Sequence, residues 1–267
     1  MNKYKKFLTL PLLLPALLSC STAKMQKPNF RNKGILVDSD YFYTKLENHV
    51  DEVGSFLNTD NINKSSNLQM TFRVQTERKY SNSKPLSYTV FTDISGKLIY
   101  DSTNLRFRLD IEGKGYVKNH IKGGDLDVAG LEEGPYYEKS RLYGETLNGK
   151  TYIYDLDYKV TRENSIDLLS NAIPSSVNSV YSLDSSFKNS KILTYINNNK
   201  IFTINATYSN SSTQLEETYQ LIFSNGLRIL VEENLFETYG QDKTSITTYA
   251  DIKVKPFLGS INKVRIN

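Results

Sequence analysis

The sequence predicts an α+β protein made mainly of antiparallel β-structure: one large curved sheet, a half-barrel, with an N-terminal helix and a central helical insert. Three observations predict it. Apolar residues recur at spacings of three and four from Phe42 to Leu57, the period of an amphipathic helix. From Met70 onward the apolar period falls to two, in run after run bounded by turn residues. Between Asn164 and Tyr181 the helical period returns once.

The elements follow in chain order. Phe42, Leu46, Val50, Val53 and Leu57 share one helical face, with Ser39 or Asp40 placed to cap, so the spacing predicts a helix over 40–57. Residues 58–66 are turn chemistry. Met70, Phe72 and Val74 alternate with Thr71, Arg73 and Gln75, which makes a half-buried strand. Tyr88–Asp93 and Lys97–Tyr100 flank Ile94-Ser95-Gly96, which reads as a hairpin, and Leu105, Phe107 and Leu109 alternate with Arg106 and Arg108 in the strand after it. A second turn, Leu147-Asn148-Gly149, joins Tyr136–Tyr143 to Lys150–Tyr158. In the insert Ile166, Leu169, Ile173, Val177 and Val180 share a face. Pro174 interrupts them, so two short helices are expected over 165–173 and 175–182. The remainder reads as a meander: Ile192–Ile196, Lys200–Tyr208, Leu215–Phe223, Leu227–Phe236 and Thr244–Lys255. Such a sheet cannot leave an apolar face in water. Wrapped around its helices it encloses an apolar groove, whereas a two-sheet sandwich with peripheral helices would use the same elements.

Domain organisation comes from the N-terminus. Lys3, Lys5 and Lys6 precede an apolar run, Phe7 to Leu18, that is broken by Pro11 and Pro15 and ends in Leu17-Leu18-Ser19-Cys20. A positive n-region and a short h-region mark residues 1–19 as a secretory signal, too short to span a membrane stably. Ser19-Cys20 resembles the lipobox of bacterial lipoproteins. That resemblance implies cleavage before Cys20, a diacylglycerol-bearing Cys20 as the new N-terminus, and a protein anchored on the extracytoplasmic face of the cell membrane. Cys20 is the single cysteine, so no internal disulfide is possible. Residues 20–37 then read as the acylated cysteine and a flexible tether, and 38–267 as one domain.

Composition narrows the function. With 39% hydrophobic and 23% charged residues the chain is an ordinary globular one. Its net charge of +4 includes the three signal lysines; without them 30 basic residues face 29 acidic ones. No Lys/Arg run is dense enough to follow a phosphate track, which argues against nucleic acid as a partner. The two histidines, His49 on the predicted helix and His120 in a strand, read as a boundary residue and an edge residue rather than a general base or a metal ligand. Asp125-Leu126-Asp127 beside Gly123-Gly124 has the alternating carboxylates of a calcium loop, but Glu132 and Glu133 fall out of register, so a solvated loop is expected. No nucleophile elbow, phosphate-binding glycine loop or paired-histidine zinc helix occurs. The reading is a non-enzymatic protein without catalytic residues, metal or cofactor.

Nineteen Tyr and twelve Phe, with no Trp, concentrate in the strands. Tyrosine favours strands in any case, and it also suits a ligand groove or a partner surface. Arg73, Arg106 and Arg108 fall on the strand faces opposite Phe72 and Phe107, either as a solvated outer face or as a grip for anionic headgroups at a groove mouth.

The segments Asn148-Gly149-Lys150-Thr151-Tyr152-Ile153-Tyr154, before the insert, and Thr247-Thr248-Tyr249-Ala250-Asp251-Ile252-Lys253-Val254, before Pro256, carry a wider likeness. With the lipobox, first helix and meander, the order of parts resembles half-barrel lipoprotein carriers of the LolA and LppX/LprG type over residues 38–257. The resemblance implies a cavity that holds acyl chains without covalent chemistry. Its lining would come from Phe42, Leu46, Val50 and Val53 on the helix and from Met70, Phe72, Val74, Phe107, Leu109, Phe202, Ile204, Leu221 and Phe223 on the strands. The reading from a different class is a surface interaction protein, an adhesin or antigen, with a filled core and an exposed Tyr-rich patch. Mass spectrometry of the membrane fraction is expected to show a chain beginning at acylated Cys20, and Cys20→Ser is expected to abolish both the acyl mass and the membrane retention.

Overall fold

The computed structural model describes residues 25–53, 67–82, 87–119, 134–157, 159–164 and 190–264. Its strands are β1 (Ile35–Val37), β2 (Leu68–Ser81), β3 (Ser87–Asp101), β4 (Arg106–Asn119), β5 (Gly134–Leu147), β6 (Lys150–Asp155), β7 (Val160–Asn164), β8 (Lys191–Asn197), β9 (Ile201–Ser209), β10 (Thr213–Phe223), β11 (Leu227–Tyr239) and β12 (Asp242–Pro256), with one helix, α1 (Ser39–Val53). All twelve strands join one antiparallel sheet in the order β1-β8-β9-β10-β11-β12-β2-β3-β4-β5-β6-β7. The chain starts at one edge, enters the middle at β2, runs out to β7, and returns from β8 until β12 pairs with β2. The expected helical insert at 165–182, the turn at 58–66, His120 and the Asp125–Asp127 loop lie outside the described residues.

Antiparallel pairing puts directly opposed residues on one face. One face therefore carries Leu227, Val254, Met70, Leu98 and Leu109 in a single cross-strand row, and Leu221, Ile229, Ile252 and Phe72 in the next. α1 packs on this helix face against β8 and β12. Asp38 caps the helix, its Oδ1 accepting from the Tyr41 amide at 2.8 Å, one residue before the expected cap. Phe42, fully buried, meets the Phe202 ring edge-on at 5.5 Å, and His49 stacks on Phe223 at 4.6 Å.

Two sequence expectations change. Ile94-Ser95-Gly96 is no hairpin; β3 runs straight through it. Gly96 faces Phe72 across the ladder, and a Cβ there would lie 2.5 Å from the Phe72 ring, so the glycine makes room for an aromatic rather than for a turn. Gly144 does the same for Phe107 on β4. The Asn-Gly turns at Asn148-Gly149 and Asn225-Gly226 hold as expected, with φ of 53° and 75° in the first and 52° and 125° in the second.

The second change concerns the tether. Residues 25–37 belong to the body. On the face opposite α1, the outer face, the Gln26 amide donates to Gln75 Oε1 at 2.9 Å, Arg73 donates to Gln26 Oε1 at 2.7 Å, and Lys27 pairs with Glu232 at 2.6 Å. Gln220, wholly buried, accepts from the Arg31 amide and donates to the Arg31 carbonyl. Phe30 packs on Ile201, Ile222 and Leu230. The segment then rounds the sheet edge, pairs with β8 as β1, and enters α1 on the other side. Polar composition suggested a free linker; here the polar groups are spent on buried sheet glutamines, which would otherwise be left unsatisfied.

Arg73 and Asp93 anchor this strap, with bidentate bonds at 2.9 and 2.7 Å. Burial works to raise the Asp93 pKa, but the bonds from Arg73 and Gln75 and the charge of Lys114 outweigh it, so the carboxyl is held below its usual value. A depressed carboxylate stabilises the fold above the ordinary Asp range, and that contribution disappears as pH falls through the folded value. Phe30→Ala is expected to cost about 1–3 kcal/mol in urea melts, the range for removing a partly buried aromatic, and to speed amide exchange at Gln26 and Arg31.

Candidate functional site

The structure brings the expected lining together, as core. Eleven of the thirteen candidates have described side chains: Phe42, Leu46, Met70, Phe72, Val74, Phe107, Leu109, Phe202, Ile204, Leu221 and Phe223 all lie in one contiguous buried cluster. Phe42, Phe107, Phe202 and Leu221 expose nothing. The side chains of Val50 and Val53 lie outside the described residues. Where α1 covers the sheet, the space is filled by these groups.

The helix face continues beyond that cluster, and its chemistry changes there. One row further along the strands, Glu217 of β10 opposes Glu233 of β11, followed by Thr248 of β12, Thr76 of β2 and Thr92 of β3. The next row is apolar: Leu215, Leu235 and Ile246 stand side by side, with Arg78 beyond Ile246 and Val90 beyond Arg78. Leu215, Leu235, Ile246 and Val90 are half-buried, unlike the core rows on the far side of the carboxylates. The site that the geometry offers is therefore an apolar row behind a row of two carboxylates and three hydroxyls.

Glu217 is buried and Glu233 half-buried. Burial pushes the Glu233 carboxyl above the usual range. Burial also drives the Tyr219 hydroxyl well above its ordinary value, reinforced by the charges of Glu217 and Glu233. The raised value of Glu233 comes from burial and favours its neutral form. Among the described residues no group of three or more His, Cys, Asp or Glu side chains is placed to hold a metal ion.

The three arginines stand on the outer face. Arg73 pairs with Asp93; Arg108 lies 3.4 Å from Asp110; Arg106 donates to the Ile261 carbonyl at 2.9 Å and has its Nε 3.9 Å from Glu145. His49 sits at the boundary between α1 and the aromatic core, as its helical position predicts. A cleft of about 350 Å³ opens at the far ends of β2, β3, β11 and β12, lined by Tyr80, Tyr88, Thr89 and Phe236 with Lys79 and Lys243. Tyr80 and Tyr88 stack there at 5.0 Å. A smaller cleft of about 200 Å³ lies under the strap.

Sequence reasoning missed Glu217 and Glu233. Each breaks the apolar alternation of its strand, and that break was the available signal; only cross-strand register puts the two breaks side by side. No protein-family model matches the chain, and no curated protein does either. Because the charged form of Glu233 is disfavoured in the fold, it penalises folding only as pH rises through the ordinary carboxylate range. Glu233→Gln is expected to raise the melting temperature at pH 7 and to leave it unchanged below pH 4, as followed by circular dichroism.

Proposed function

We propose that the protein is a lipoprotein anchored through Cys20 on the extracytoplasmic face of the membrane, and that its half-barrel sheet binds a lipid or another acyl-bearing ligand on the helix face without covalent chemistry. The observation that carries the reading is the half-buried row Leu215, Leu235, Ile246 and Val90, which continues the apolar face past the packed core. An apolar strip bordered by a few polar groups is the usual make-up of a site for an amphiphile. An open antiparallel sheet with α1 on one face is compatible with a half-barrel and supports the reading to that extent. Glu217, Glu233, Thr248 and Arg78 supply polar contacts along the strip, and no residue is assigned a catalytic role.

A surface interaction protein is the second reading, favoured by the filled core under α1 and by exposed aromatics such as Tyr239 at 89% and Tyr137 at 65%. One experiment separates the two. Solvent extraction of the purified full-length protein is expected to release non-covalent lipid, and a fluorescent fatty acid is expected to bind about tenfold more weakly to Leu235→Asp/Ile246→Asp, a loss of about 1.4 kcal/mol. Repeated extracts without lipid, with probe affinity equal in both proteins, would favour the second reading.

A further inference from the structure

The outer face is where the chain leaves the body. The Gln26 amide is fixed to Gln75 on β2, and Gln26 lies six residues beyond Cys20. Six residues reach about 20 Å when fully extended. β2 is six strand spacings from the β1 edge and five from the β7 edge, about 24–29 Å at roughly 4.8 Å per spacing. A link of that length cannot carry Cys20 around either edge to the helix face. A lipid on Cys20 enters the bilayer on the outer-face side.

The chemistry of that face agrees. Across β12, β2, β3, β4 and β5, Lys253 neighbours Thr71, Thr71 neighbours Lys97, Lys97 neighbours Asp110, and Asp110 neighbours Arg141. Lys97, Lys139, Lys253 and Lys255 are exposed, and none forms an ion pair among the described residues. Tyr137 stands on the same face beside Lys114, an aromatic of the kind that settles at the headgroup level. Among the described side chains the sheet's helix face has the opposite balance, with Glu217, Glu233, Glu237, Asp242 and Asp155 against Arg78. Basic residues close to a negatively charged leaflet are attracted to it within a Debye length.

We propose that the outer face along β12 and β2–β5 is a docking surface for anionic phospholipid headgroups, so that the anchored body lies on the bilayer with its helix face and the ligand row turned away from it. The proposal rests on acylation of Cys20. Reporter cysteines at Ser95→Cys, on the outer face, and Asn48→Cys, on α1, are made separately in the acylated full-length protein and carry a fluorophore. Each protein is reconstituted into mixed phosphatidylcholine and phosphatidylglycerol vesicles with a headgroup nitroxide. Quenching at residue 95 is expected to exceed that at residue 48 severalfold. High salt and Lys97→Glu/Lys253→Glu/Lys255→Glu are both expected to erase the difference, while the triple variant melts at the wild-type temperature because all three lysines are exposed. Acylated protein with equal quenching at the two positions, or more at residue 48, overturns the docking surface and leaves the lipid anchor standing. An intact mass without acyl groups on Cys20 overturns both.

Discussion

A sheet of twelve strands has two faces to keep dry, and the described residues supply a single helix to do it. Much of the constraint is met by one continuous stretch, residues 25–53, which lies over part of the outer face, rounds the edge and returns along the opposite face as α1, while the C-terminal segment covers another part of the outer face, Ile261 bonding Asp101 and Arg106. The crossing depends on Gly34, held at φ 87° with its backbone so close to Ile196 that any Cβ would collide with the carbonyl. β1 follows at once and covers the edge of β8, and the buried Thr194 hydroxyl donates to the Val37 carbonyl at 2.8 Å. Strap, edge strand and helix are held as a unit because each is bonded to a different part of the same sheet.

The two faces are dry by different means. The helix face is filled by apolar packing around Phe42 and Phe202, where glycines at 96 and 144 let aromatic rings lie flat against the neighbouring strand. The outer face under the strap relies on polar pairing: Gln75, Gln220 and Asp93 are buried, and each is bonded to the strap directly or through Arg73. Buried amides of this kind are costly when unpaired, so they specify one seating for the strap where apolar contacts alone would allow sliding. The ligand row proposed for the helix face lies outside both regions, where packing has ended and the side chains are half-exposed.

Much of this was legible in the chain. The meander from Lys191 to Pro256 declares itself because a period of two, punctuated by Asn-Gly and Asn-Asn pairs, has few other solutions, and Asn198 and Asn199 do take the positive φ that a tight turn needs. Helix α1 was visible for the analogous reason. Gly96 was misleading, since a glycine inside a strand and a glycine in a turn look alike until the partner across the ladder is known. The strap was illegible because its structure is written elsewhere: Gln26 and Arg31 have no periodicity of their own, and their partners Gln75 and Gln220 lie 49 and 189 residues away. The facing carboxylates of Glu217 and Glu233 depend on cross-strand register in the same way.

The place of β12 in the middle of the sheet has a consequence for biogenesis. β2 forms early in synthesis and β12 late, yet the two are neighbours along their whole length, from Leu68 with Pro256 to Ser81 with Lys243. Until β12 has emerged, β2 and β11 each present an open hydrogen-bonding edge, and the strap has only part of its platform. A polypeptide that emerges N-terminus first would thus wait, half-assembled, with two bare strand edges, for its final strand.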